Sequence, residues 1–292
     1  MKFGVALPNF GKFAGTESIR KISVGAESLG FDSVWVSDHI VLPKGHQGFG
    51  RVFYEPLVTL SYVAALTSRV ALGTSVLVLP YRNPLVLGKM LATIDVLSSG
   101  RLIVGVGVGH LEGEFHALGV PFEKRGAVTD EYIEVLKTLF TNPEPSFQGR
   151  HANFDGIVFE PLPEQKPRPP ILVGGGGGRA IERAARAGDG WHPVGLSPAQ
   201  VRDGVAYLID RLEKEGRGLE GFGVYLRKNL EITDEDKGED EPLRGSVEKI
   251  TSGIALYAEA GVTHVIFQPL SGTLDGVLET MGVFARDIRV EV

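Results

Sequence analysis

Short β-branched runs alternate along the chain with longer stretches whose apolar residues recur every three or four positions, a rhythm that predicts repeated strand–helix units on a parallel sheet. Eight such units can be marked in the sequence. Residues 3–7 form the first strand, and Ile19, Ile22, Ala26 and Leu29 share one face of a helix that Gly30 stops. A second strand over 33–36 leads through Gly45, Gly48 and Gly50 to a helix over 56–67 and an apolar third strand over 70–79. Asn83 can accept a bond from a free amide of the next helix, Pro84 has no amide to leave unmatched there, and Gly100 follows the last turn. Strand four covers 102–107, and its helix, over 130–140, comes after a long connection.

Residues 142–169 are proline-rich and contain a possible hairpin (FQGRHANFDGIVF), so they are expected to be an insertion that overhangs the mouth of the fold. Strand five is 171–173, and its helix carries Ile181, Ala184 and Ala185 before Gly188. Strand six is 190–192, Ser197 and Pro198 start helix six, strand seven is 223–232, and Ser246 begins helix seven. Strand eight is 264–268, followed by a helix with Val277, Leu278, Met281, Phe284 and Ile288 on one stripe. The expected fold is one α/β domain over 1–292, a (β/α)8 TIM barrel closing on its first strand, with the insertion at about 142–169.

Composition narrows the function classes. Hydrophobic residues at 43% and charged residues at 23% leave ample material for one large core. The net charge of −6, without a basic stripe, would repel a phosphate backbone and excludes nucleic acid as a partner. With no cysteine, disulfides, thiolate metal sites and a cysteine nucleophile are excluded. No apolar run reaches the roughly eighteen residues of a membrane span, and MKFGVALPNF is too short in apolar residues for a signal-peptide core. A cytoplasmic protein is expected. The acidic stretch 234–241 lacks the spacing of a calcium loop and is read as a solvated loop.

Barrel chemistry sits at the carboxyl ends of the strands. Strand one delivers Asn9, strand two Ser37, Asp38 and His39, strand three Thr74 and Ser75, and strand four Gly107, Gly109 and His110. Strand six delivers Trp191 and His192, strand seven Arg227, and strand eight Gln268. Strand five ends in the glycine run Gly174, Gly175, Gly176, Gly177 and Gly178 (VGGGGGRAIERAARAG). Amides at such a strand-to-helix junction point outward with the helix dipole behind them, glycine lets an anion come close, and Arg179 adds a charge. A flexible turn is the plainer reading, but each glycine costs up to about 1 kcal/mol of chain entropy relative to alanine, which favours phosphate binding. No Rossmann fingerprint is present, because the run follows the fifth unit and lacks the later acidic residue. The small residues of GVGVG leave floor space for a flat ring, or simply relieve crowding.

His39 can give or take a proton near neutral pH, and His110 and His192 are expected to share the mouth with it. Histidines and an aspartate can instead hold a metal, but strand one lacks the paired HxH of metal-dependent barrel hydrolases, so no metal is expected.

The ordered set SDH (37–39), LGTSVLVLP (72–80), RNP (82–84), SSGRLIVGVGVG (98–109) and ARAGDGW (185–191) resembles the bacterial-luciferase-like family over nearly the whole chain. The stretch EFHALGVPFEKRGAVTDEYIE (114–134) resembles its F420-dependent oxidoreductase branch. The resemblance implies a dimeric barrel, a flavin or deazaflavin ring against strands two to four, and a non-proline cis peptide at Ser75 and Val76. It gives Asp38, His39, Thr74, Ser75, Val76 and Gly107 to the ring side of a cofactor bed. The glycine run and Arg179 go to the phosphate side, Trp191 is a further cofactor-binding candidate, and His110 or Trp191 flanks the substrate space. His39 inherits the proton-transfer role and His110 joins it as a catalytic candidate. Where sugar-phosphate-oxidising relatives place a glutamate after the GxG of strand four, this chain has His110. Glu112 and Glu114 lie close by as replacement acids, and Glu114 can equally pair with an arginine such as Arg125.

The function implied is hydride transfer between coenzyme F420 and a small organic substrate. The alternatives are an FMN-dependent monooxygenase fed by a separate reductase, a cofactor-binding protein without turnover, and a metal-dependent hydrolase.

Overall fold

The computed structural model describes residues 1–289 except 47, 49 and 239, so part of the acidic stretch lies outside the described residues. In chain order the elements are β1 Lys2–Ala6, α1 Thr16–Ser28, β2 Ser33–Val36, α2 Pro56–Leu66, β3 Ala71–Thr74, β4 Leu77–Val78, a 3-10 turn Leu79–Tyr81, and α3 Pro84–Leu97. There follow β5 Leu102–Gly107, α4 Glu112–Ala117, α5 Arg125–Thr141, β6 Phe147–Gln148, β7 Asn153–Phe154, β8 Ile171–Gly174, and α6 Gly178–Ala187. The chain ends with β9 Gly190–His192, α7 Pro198–Lys214, β10 Gly223–Ile232, β11 Arg244–Gly245, α8 Val247–Glu259, β12 His264–Pro269, and α9 Leu274–Val283 with a π turn over Phe284–Ile288. The main sheet runs β10–β12–β1–β2–β3–β5–β8–β9, and β9 pairs with β10 in turn, which is the strand order of a parallel (β/α)8 barrel.

The fold divides into two compact units. The first comprises Met1–Leu7, Thr16–Trp35 and the chain from Leu172 onward. Its strands β8, β9, β10, β12, β1 and β2 pair in that order, all parallel. Gly4 has to be glycine, because a Cβ there would stand 2.6 Å from the Trp35 indole nitrogen. Phe3 of β1 and Phe267 of β12 pack with Phe31 and Phe284 in an aromatic cluster of stacked, tilted and edge-on rings that seats the π turn. Ser197 and Gln200 form a capping box at the start of α7, and Ser246 caps α8.

The second unit comprises Pro8–Gly15 and Val36–Ile171. Here β3 and β4 both pair with β5. The expected third strand over 70–79 is not continuous. The Ser75–Val76 peptide is cis, the Ser75 amide donates to Val36, and the Val78 amide donates to Asp38, so the ladder is broken between β3 and β4. An apolar pattern cannot register such a change of partner. Asn83 caps α3 as expected, accepting from the Leu85 and Val86 amides. Helix α5 begins at Arg125 rather than near 130, since Val128 and Thr129 already belong to its buried face, and α4 was not foreseen.

The 142–169 insertion contains the expected hairpin, Phe147 opposite Phe154. Its position differs from the expectation. Glu131 of α5 accepts from the amides of Arg150, His151 and Ala152, Gln165 donates to Asp95 of α3, and Gln165 also reaches the carbonyl of Leu102 at the start of β5. The segment therefore runs along α5 and α3 to the amino-terminal end of β5, away from the carboxyl ends that carry the mouth. The reason is geometric: α5 returns the chain to that end before the segment begins. Among the described residues no helix is long and apolar enough to cross a membrane.

Candidate active site

In the second unit, buried hydrogen bonds of Asn9 fix the turn after β2. Asn9, wholly buried, donates from Nδ2 to the carbonyls of Ser37 at 2.7 Å and Tyr54 at 3.0 Å, and its Oδ1 accepts from the Ser37 amide. The next residue, Asp38, is not a cofactor contact. Its sealed carboxylate accepts from the Val78 amide at 2.9 Å and from both Nη atoms of Arg82 at 2.7 and 2.9 Å, and Arg82 extends to Glu55 at 2.8 Å. Burial pushes the Asp38 carboxyl up and the guanidinium opposes it. Arg82, despite its own burial, is held above its ordinary value by Asp38 and Glu55. Asp38 is thus an anchor between the β2 turn and β4, a role its place in SDH does not disclose.

His39 is 8% exposed at the side chain, and its Nδ1 lies 2.6 Å from Oε2 of Glu114, which is fully buried. The same oxygen accepts from the Tyr81 hydroxyl at 2.9 Å, while Oε1 accepts from the amides of Ile40 at 2.6 Å and Val41 at 3.2 Å. Burial pushes this acid up; the donors from His39, Ile40 and Tyr81 outweigh it and hold Glu114 below the usual carboxylate range. Glu114 also lies in the first turn of α4, where the helix dipole favours a negative charge. Burial, with Glu114 beside it, pushes the Tyr81 hydroxyl up, so it stays a donor. Arg125 is not the partner: its guanidinium lies 3.8 Å from the Phe122 ring centroid and donates to the Phe122 carbonyl.

The His39 ring meets the edges of Phe53 and His110, with centroids 5.1 and 5.7 Å away. His110 is exposed, and the protein wall it leans on, more than neighbouring His39, pushes it below its ordinary value. His39 and His110 are therefore brought together as expected, and Glu114, offered by the sequence as a replacement acid or an arginine's partner, is instead the partner of His39.

Behind them lies the β3–β4 break. Thr74 is buried and its hydroxyl donates to the Gly105 carbonyl at 2.8 Å. Ser75 is buried, whereas Val76 is partly exposed. A Cβ on Gly107 would stand 2.5 Å from Val76 Cγ2, so Gly107 makes room for Val76.

In the first unit, the glycine run joins β8 to α6. Gly175 has φ of +121° and a Cβ there would stand 2.9 Å from Ala180, so backbone geometry explains that glycine. Gly176 is tight against Leu196. Gly177 and Gly178 are different: Gly177 has open space, a Cβ on Gly178 would meet Tyr207 at an ordinary 3.7 Å, and Gly177 as N-cap provides no side-chain acceptor. Neither the fold nor the backbone requires glycine there, and of the first-turn amides that of Ala180 already donates to the Gly177 carbonyl at 2.9 Å. Arg179 is exposed at the start of the helix.

Trp191 does not flank a substrate space. It is fully buried, packs against Gly204 of α7, and its indole donates to the Gly175 carbonyl at 2.7 Å, so it braces the glycine turn from behind. The period-two alternation of a strand turns it away from the side that His192 faces. His192 is itself no mouth residue: fully buried, it stacks on Trp35, bonds the Tyr225 carbonyl, and burial pushes it down to about 4. Arg227 donates to Gln268, and burial lowers its pKa to about 10. Among the described residues no group of histidine and carboxylate side chains is placed to hold a metal ion.

Known proteins share both the fold and the sequence pattern. The model of a family described as luciferase-like monooxygenase matches residues 1–241. An F420-dependent glucose-6-phosphate dehydrogenase of Kineococcus radiotolerans is 39% identical over 173 residues, 58% of this chain and 50% of that protein. A monooxygenase from Streptomyces bottropensis superposes with a TM-score of 0.86 at 24% identity, over 99% of this chain and 98% of that one. An F420-dependent secondary alcohol dehydrogenase, solved with an F420–acetone adduct, gives 0.85 at 18% identity over 100% and 99% of the two chains.

Proposed function

The chain belongs to the luciferase-like monooxygenase family and is an oxidoreductase, and from that premise we propose that it passes a hydride between coenzyme F420 and a small organic substrate. The observation that carries this reading is the buried His39–Glu114 pair at the carboxyl end of β2, a proton-handling ring held by a carboxylate. Bound F420 supplies a ring carbon that accepts or returns the hydride. His39 accounts for the proton: when a hydroxyl compound is oxidised to a carbonyl, the hydride leaves its carbon and the O–H proton goes to His39.

The residues present fit such a cofactor. Gly177 and Gly178, free of any steric demand and at an uncapped helix start, suit the phosphate, with Arg179 adding charge. In the first unit Gly174, Gly175 and Gly176 shape that turn and Trp191 braces it; in the second unit, taken by itself, Val76 set against Gly107 suits a flat ring, with the Thr74 hydroxyl bonded to the Gly105 carbonyl and Ser75 next to it in the chain. His110, exposed beside His39, is placed to meet the substrate. Val58 and Tyr62 on α2 and Val86 on α3 leave apolar surface exposed, which supports a homodimer.

Titration of the purified protein with F420 and with FMN tests the reading. Saturable F420 binding is expected; tight FMN binding without F420 binding, with oxygen consumed in the presence of a flavin reductase, would replace it with a reduced-FMN monooxygenase.

A further inference from the structure

Glu114 has two oxygens with different duties. Oε1 is pinned by the backbone amides of Ile40 and Val41, while Oε2 faces His39 Nδ1 and the Tyr81 hydroxyl. A carboxylate only accepts, so the 2.6 Å contact is a hydrogen bond only if the His39 hydrogen sits on Nδ1. We propose that Glu114 is a positioning residue that fixes the neutral His39 ring with hydrogen on Nδ1 and the lone pair on Nε2, making Nε2 the atom that exchanges a proton with substrate. The consequence for turnover rests on the F420 reading above; the tautomer does not.

The pinning of Oε1 fixes which way a glutamine would sit at this position. In Glu114→Gln, the amide oxygen takes the place facing the Ile40 and Val41 amides, because those two groups only donate. The NH2 then takes the place facing His39 and donates to Nδ1. The ring must respond by carrying its hydrogen on Nε2, the wrong nitrogen for accepting a proton. A residue that merely filled space would not invert a tautomer when exchanged for its near-isostere.

The test is long-range 15N–1H correlation of histidine-labelled protein at a pH where the His39 ring is neutral. Wild type is expected to show hydrogen on Nδ1, Glu114→Gln on Nε2, and Tyr81→Phe on Nδ1, since phenylalanine leaves the carboxylate in place. Hydrogen on Nε2 in wild type overturns the proposal even if Glu114→Gln fails to fold, and so does an unchanged tautomer in Glu114→Gln. In F420 turnover, Glu114→Gln is expected to lose about 10²-fold or more in kcat while F420 affinity stays within about threefold. Unchanged kcat with an inverted ring would remove Nε2 from the chemistry. If wild type neither binds nor turns over F420, the cofactor reading fails while the tautomer result still stands.

Discussion

His39 and Glu114 are 75 positions apart in the chain, yet Nδ1 and Oε2 meet at 2.6 Å with both side chains buried. Because Glu114 is held below its usual value near 4.5, the stability it contributes is complete above that pH and is lost as pH falls through the folded value. Melting curves from pH 7 to 3 should therefore drop less steeply for Glu114→Gln than for wild type. Parallel slopes would contradict the assignment of a carboxylate here.

Truncating the same residue is a harsher change. Glu114→Ala leaves the amides of Ile40 and Val41, the Tyr81 hydroxyl and the His39 Nδ1–H without their acceptor. At about 1–3 kcal/mol for each buried group left unmatched, urea unfolding should show a loss of at least about 3 kcal/mol.

Asp38 and Arg82 provide a second test of structure against chemistry. Their bidentate pair is buried, with 0% and 11% side-chain exposure, so Asp38→Asn leaves Glu55 as the charge partner of Arg82 and should destabilise by about 3 kcal/mol in urea unfolding. A loss of activity with stability unchanged would instead return Asp38 to the cofactor-binding role that its sequence position suggests.

The glycine run separates into two kinds of residue. Gly175→Ala should lower the melting temperature, because its φ of +121° and its 2.9 Å approach to Ala180 both forbid a side chain. Gly177→Ala and Gly178→Ala should leave the fold as stable as wild type or stabilise it by up to about 1 kcal/mol, while weakening F420 binding. Thermal melts paired with F420 titration check both; unaltered affinity in the double variant would leave these glycines without a ligand.

Val76 and Gly107 should behave as a coupled pair. Gly107→Ala places a Cβ 2.5 Å from Val76 Cγ2 and should impair both stability and ring binding. Adding Val76→Ala removes the clash, so the double variant should recover stability relative to Gly107→Ala alone. Additive losses would show that the two do not meet as described.

The barrel order was legible because strands and helices imprint different apolar periods, and because caps such as Asn83 and Ser197 mark helix starts chemically. His39, His110 and the glycine run were legible as residues at strand ends. The hidden parts share one physical property: they depend on partners distant in sequence. Glu114 sits in a six-residue helix too short to announce itself by periodicity, and its pairing with His39 exists only after folding. Trp191 and His192 are neighbours on β9 that face opposite sides, which a list of strand ends treats alike. The path of the 142–169 insertion follows from the direction of α5, information that proline content does not carry.

Deazaflavin dependence is tested most directly by competition. Wild-type protein dialysed to equilibrium against equal concentrations of F420 and FMN is expected to retain F420 in excess over FMN, and the excess should fall for Gly177→Ala combined with Gly178→Ala. Retention of FMN with no F420 held by the wild-type protein would contradict the account.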